Sequence, residues 1–78
     1  MRVKIISPEK TLYESEGTLL QLPGIDGSFE LLVNHAPIIS VLKKGVIRLV
    51  DKENKELKFE INSGIVECIN NNIKILVQ

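Results

Sequence analysis

Apolar runs in this chain are short, and punctuation breaks them every few residues. Pro23-Gly24 and Asp26-Gly27 stand on either side of a single residue, and Ser28-Phe29-Glu30-Leu31 follows at once. A run of four to seven apolar residues between turn signals is long enough for a strand and too short for an ordinary helix. No segment keeps a helical period. The spacing therefore predicts an all-β domain of about eight to ten short strands with no substantial helix.

The expected strands follow from that punctuation. Val3 to Ser7 stops at Pro8, which has no ladder donor. Ser7-Pro8-Glu9-Lys10 reads as a turn. Thr11 to Glu14 and Thr18 to Leu22 read as two strands separated by a polar break or bulge at Ser15-Glu16-Gly17. Pro23-Gly24 has the composition of a type II turn, and Asp26-Gly27 that of a tight hairpin. Ser28 to Val33, Ile38 to Leu42, Val46 to Val50, Glu56 to Ile61, Ile65 to Ile69 and Ile73 to Val77 complete the set. Glu56 to Ile61 alternates most cleanly, with Leu57, Phe59 and Ile61 expected toward the core. Asn70-Asn71-Asn72 suits a hairpin turn, because Asn tolerates left-handed angles. Lys4, Lys58 and Lys74 are candidate guards of sheet edges.

Composition narrows the function. The chain has 78 residues, enough for a single domain over 1–78, of modest stability, about 3–8 kcal/mol. Ten basic residues balance ten acidic ones, and three aromatic residues are present. A nucleic-acid binder usually has a basic excess and stacking aromatics, so that class is disfavoured. Cys68 is the only cysteine. It reads as a buried strand residue in a reducing compartment, with no disulfide and no metal-ligand spacing. The first residues are too short an apolar run for a secretory signal, and no stretch approaches a spanning helix. No direct membrane insertion is expected.

Catalysis finds no constellation. His35 is the only histidine. It sits in Asn34-His35-Ala36-Pro37, without a nucleophile elbow or an acidic partner in sequence. Gly24 and Gly27 lack the downstream helix that would aim amides at a phosphate. No catalytic residue, cofactor or metal site is expected. The residues alone describe a small neutral β-domain held against other proteins.

The order of the segments adds more. Ser7-Pro8-Glu9-Lys10, Leu22-Pro23-Gly24, Asp26-Gly27-Ser28-Phe29, His35-Ala36-Pro37-Ile38-Ile39, Leu42-Lys43-Lys44-Gly45-Val46-Ile47-Arg48, Ser63-Gly64-Ile65-Val66-Glu67 and Ile73-Lys74-Ile75-Leu76 succeed one another across essentially the whole chain. In this order and spacing they resemble the N-terminal β-sandwich domain of the epsilon subunit of bacterial F-type ATP synthase. Departures from the family pattern are Val33-Asn34 in place of Pro-Gly, Glu30 in place of a Gly, Lys44 in place of a Pro, and Asn62-Ser63-Gly64 in place of a Ser followed by paired Gly. Asn34 can supply the left-handed angles that Gly would.

The resemblance implies a two-sheet antiparallel β-sandwich, monomeric when isolated. It also implies a non-catalytic rotor subunit of the central stalk, which links the gamma subunit to the polar loops of the membrane c ring and couples ion flow to ATP synthesis. Such a subunit is peripheral, on the cytoplasmic face of the bacterial inner membrane. Carried over residue by residue, Gly27, Ser28 and Phe29 face the c ring, and Glu30 is placed to pair with a ring Arg or Lys. His35, Ala36, Pro37 and Ile38 face gamma, and Ser7 lies in a second gamma region. Phe29 is left as either a core or a contact residue. Longer family members add an inhibitory C-terminal helical hairpin, and the expectation for this chain is a short form without it. The rival reading is an independent β-barrel module that binds an oligosaccharide or a nucleic acid.

Overall fold

The computed structural model describes residues 1–78. They form eight strands and no helix: β1 (Arg2–Ile6), β2 (Thr11–Gly24), β3 (Gly27–Leu32), β4 (Ile38–Leu42), β5 (Gly45–Asp51), β6 (Glu56–Ile61), β7 (Gly64–Ile69) and β8 (Asn72–Val77). The all-β expectation holds.

β2 organises the rest. It is one strand of 14 residues, where two short strands were expected. Its first half pairs with β1, from Arg2↔Glu16 to Ile6↔Thr11. Its second half takes β3 along one edge (Leu20↔Leu31) and β5 along the other (Leu20↔Leu49). The break expected at Ser15-Glu16-Gly17 is a bulge, where the β5 register slips between Gly17 and Leu19. A bulge sharpens local twist without ending pairing, so β2 crosses from one layer to the other.

The first layer runs from the start of β2 through β1, β8, β7 and β4; the second holds β3, the rest of β2, β5 and β6. The ladders join through β2 into one sheet folded over on itself. The pair Gly24↔Leu42 closes the ring. It is bracketed by Ile25 N–H donating to the Val41 carbonyl (3.0 Å) and Lys43 N–H donating to the Pro23 carbonyl (2.9 Å). All pairs are antiparallel except β1 and β8, which run parallel.

The core lies between the layers. Val3, Ile5, Leu42, Val66, Cys68, Ile73, Ile75 and Val77 project inward from the first layer, and Leu20, Leu22, Leu31, Ile47, Leu49 and Ile61 from the second. No polar or charged residue is buried. Burial of this set removes apolar surface at about 25 cal/mol per Å².

Three local expectations need correction. Pro23-Gly24 is not a turn: Pro23 pairs with Ser28 and Gly24 with Gly27, and the chain reverses at Ile25-Asp26. Neither turn residue has a positive φ; Gly27 takes it instead, at 131°. Leu57 is not core, being 37% exposed. It sits near the end of the outermost strand, where no opposing layer covers it. Phe59, two residues on, is sheltered by an edge-to-face contact with Tyr13, ring centroids 6.1 Å apart. Of the three lysines, only Lys58 lies on an edge strand, since Lys4 and Lys74 belong to strands paired on both sides. The triple Asn behaves as expected, with Asn70 and Asn71 at φ 50° and 63° closing β7 onto β8.

Candidate functional site

The sequence-derived site residues fall in separate places. Gly27, Ser28, Phe29 and Glu30 open β3 at the tip of the β2–β3 hairpin. Alternation turns Ser28 and Glu30 outward. Phe29 turns inward, half-buried, and packs against the core. Its ring also lies over Gly24, where an added Cβ would come within 2.8 Å of it. Core packing thus accounts for Phe29. Glu30 lies in an outward row with Gln21, Arg48 and Lys58. Arg48 is occupied: its Nε is 2.9 Å from Glu56 Oε2. That hydrogen bond, helped by the charges of Arg48 and Lys58, holds the Glu56 carboxyl below the usual carboxylate range. Glu30 has no cation within ion-pair reach in the chain.

His35, Ala36, Pro37 and Ile38 lie in the loop that joins the second layer to the first. His35 N–H donates to the Leu32 carbonyl at 3.1 Å, and its Nδ1 lies 2.7 Å from the Ala36 carbonyl oxygen. A carbonyl only accepts, so Nδ1 is the donor in this contact. Ala36 and Pro37 are exposed, while Ile38 packs against the core. Ser7 lies elsewhere. It closes the β1–β2 turn, its Oγ donating to the Lys10 carbonyl (3.1 Å) and accepting from Lys10 N–H (3.2 Å). β1 pairs in parallel with β8, whose start adjoins the Asn70-Asn71 turn. Ser7 and His35 are therefore at opposite ends of the first layer and form no single cluster.

The outer face of this layer carries a feature that was not legible as a motif. On the outer face of the first layer, Val41 pairs with Ile65, Ile65 with Leu76, and Leu76 with Ile6. Four strands thus carry one apolar row, about 14 Å long at ordinary strand spacing. Val41, Ile65 and Leu76 are 49%, 41% and 45% exposed. Ile39, the most exposed large apolar residue at 67%, continues the patch along β4 toward the His35 loop, and exposed Ile69 stands apart from it beyond Glu67. Ile25, bonded through its amide to Val41, extends it to the hairpin tip. A shallow groove of about 250 Å³ beside it is lined by Ile39, Ile65, Glu67, Lys74 and Leu76. The next row inward along the strands is charged: Glu67, Lys74, Lys4 and Glu14. The signal was present in the sequence as apolar residues adjacent on one strand, for example Ile38-Ile39, Val41-Leu42 and Ile75-Leu76-Val77. A strand with one wet face alternates apolar and polar residues; adjacent apolar residues put one on each face.

Cys68 is a buried free thiol, opposite Ile38 and Ile73. Burial in apolar surroundings pushes its pKa up. The folded state then holds the thiol proton to higher pH than the unfolded state does. Its contribution to stability is complete below the unfolded thiol pKa, near 8.5, and is lost as pH rises through the folded value. Cys68→Ala should flatten the fall of urea midpoint between pH 8 and pH 10. An unchanged slope in the variant would assign that fall to other groups.

Geometry thus defines a β-sandwich whose accessible features are faces and loops. The matching family model is that of the β-sandwich domain of the ATP synthase delta/epsilon chain, and it covers residues 1–78. The chain belongs to this family. It is 39% identical over 77 residues to the ATP synthase epsilon chain of Leptospira interrogans, covering 97% of this chain and 59% of the relative. The epsilon chain of Chlorobium limicola is 32% identical over 77 residues, with 99% and 88% covered. The chain spans about 59% of the length of several curated relatives it matches. Among solved structures, it is similar in fold to a chain of the Euglena gracilis mitochondrial ATP synthase OSCP/F1/c-ring structure (TM-score 0.89, 13% identity, 96% of this chain and 48% of that one). A chain of the Tetrahymena thermophila mitochondrial ATP synthase central stalk and c-ring structure is similar as well (TM-score 0.82, 19% identity, 100% and 63%).

Proposed function

We propose that the chain is a non-catalytic rotor module of the ATP synthase central stalk, on the cytoplasmic face of a bacterial inner membrane. It joins the gamma subunit to the polar loops of the c ring, so that ion flow through the ring and rotation of the stalk are one motion. The observation that carries this reading is the apolar row Val41–Ile65–Leu76–Ile6. An exposed stripe of this kind, flanked by charges, marks a protein-binding face. Family membership supplies the partner.

The division of labour follows from the two layers. The outer face of the first layer, with the His35 loop at one end and Ser7 at the other, holds gamma. The row starts beside Ser7 and crosses to Val41 on β4, and Ile39 on the same strand leads from it toward the His35 loop, so one partner can reach both ends. The hairpin tip, with exposed Ser28 and Glu30, meets the ring. A closed, hydrogen-bonded sandwich between the two resists shear, which torque transmission demands.

The experiment is co-purification of the tagged chain from detergent-solubilised membranes. Recovery of both gamma and ring subunits is expected; recovery of neither overturns the reading. Glu30→Lys tests the ring contact separately. Because Glu30 is exposed and unpaired, reversal should change the melting temperature by less than about 3 °C, within the range of ordinary surface substitutions. Ring recovery should fall several-fold while gamma recovery stays unchanged. Full recovery of the ring would remove Glu30 from that interface.

A further inference from the structure

We infer that Asn71 is a positioning residue: it clamps the His35 loop in the shape that docks, an inference that rests on the proposed rotor function. Asn34 and Asn71 are 37 residues apart and bonded twice. Asn34 N–H donates to Asn71 Oδ1 at 2.6 Å, and Asn71 Nδ2 donates to Asn34 Oδ1 at 2.7 Å. Both residues are left-handed, at φ 66° and 63°. The Asn71 carbonyl also accepts from Arg2 N–H at 2.8 Å, tying the same turn to the start of β1.

The consequence lies in what else holds the loop. Residues 33–37 make two other hydrogen bonds, His35 N–H to Leu32 and His35 Nδ1 to Ala36, and both are local. The Asn34–Asn71 pair is the loop's only hydrogen-bonded link to a segment distant in sequence. Residues 33–37 lead directly into β4, whose Ile39 and Val41 belong to the apolar face. A loop ordered before docking loses less conformational entropy when the partner arrives. Asn is suited to both positions, since it tolerates φ > 0 and its amide offers a donor and an acceptor. Glycine at 34 would satisfy the backbone and keep its own N–H on Asn71 Oδ1, but would lose the second tie, from Asn71 Nδ2.

Asn71→Gly preserves the left-handed backbone and deletes the clamp. In the isolated chain, amide exchange at Asn34 and His35 should quicken at least about fivefold, while exchange in β5 and β7 stays unchanged. Affinity for the purified gamma subunit should fall about five- to tenfold, the scale of one to two exposed hydrogen bonds. Asn34→Gly, which keeps its backbone N–H on Asn71 Oδ1 and loses only the side-chain bond, should shift both signals in the same direction but less, and the double variant should be no worse than Asn71→Gly alone. Asn71→Asp, which keeps an acceptor for Asn34 N–H, should restore much of both signals. Unchanged exchange at Asn34 and His35 overturns the clamp, whatever the chain binds. Faster exchange with unchanged gamma affinity overturns its role in docking. A wild-type chain that does not bind gamma overturns the rotor function and the docking role together, while the exchange result still decides whether the clamp exists.

Discussion

Ile65→Lys should abolish tight capture of the gamma subunit and leave the fold standing. Ile65 is at the middle of the apolar row, between Val41 and Leu76. It is already 41% exposed, so a lysine there can keep its ammonium in water. Glu67, two residues along the same face, gives that ammonium a neighbour in the free chain. The melting temperature should therefore move by only a few degrees. Docking changes the account, because a partner pressed against the row removes water from the ammonium. A buried charge without a matched partner costs several kcal/mol, and central positions of an interface are the sensitive ones. A loss of about 3 kcal/mol is roughly a hundredfold in Kd. Titration calorimetry against gamma, with a thermal melt of the free variant, measures both quantities. Wild-type affinity in a folded Ile65→Lys chain would move the interface off this face.

Gly24→Ala should cost the fold about 3 kcal/mol, on the scale of overpacking at a site that cannot relax. Gly24 pairs with Gly27 on one side and Leu42 on the other, at the closure of the ring. A Cβ there would lie 2.5 Å from the Gly27 carbonyl oxygen and 2.8 Å from the Phe29 ring. The ring can swing; the carbonyl belongs to the hairpin ladder and cannot. For a domain of this size the melting temperature should fall by about 12–24 °C. Gly27→Ala is the contrasting variant. Nothing lies within 4 Å of its added Cβ, so its penalty comes from φ 131° alone. Circular dichroism melts of both variants separate crowding from backbone strain. A Gly24→Ala chain that melts within about 3 °C of wild type would show that the hairpin opens without loss at this point.

The two variants touch features of different legibility. Local chemistry was readable from residues. Asn70-Asn71-Asn72 announced a hairpin, Lys43-Lys44-Gly45 announced a connection, and Ile38 to Leu42 was bounded by its own punctuation. Each depends on φ preferences and side-chain alternation within a few residues. Pro23-Gly24 misled for the same reason. The dipeptide is competent for a turn, but pairing on both sides of Gly24 holds it extended, and that pairing comes from residues 27 and 42. Tertiary hydrogen bonds outweighed a local turn preference.

The candidate site divides along the same line. Ser7, Gly27, Ser28, Phe29, Glu30, His35, Ala36, Pro37 and Ile38 came from resemblance, and the fold distributes them over two ends and a hairpin tip. The row Val41–Ile65–Leu76–Ile6 exists only through strand register, which pairs residues 24, 11 and 70 positions apart in the chain. Even the bond between Asn34 and Asn71 spans 37 positions. By itself, the amino-acid order determined that this is a small all-β domain, where its turns can bend, and which family it resembles. Which apolar residues face the core, which form an open face, and what ties the His35 loop down were decided only in three dimensions. Those outcomes depend on contacts between segments far apart in sequence, whose pairing no local propensity specifies.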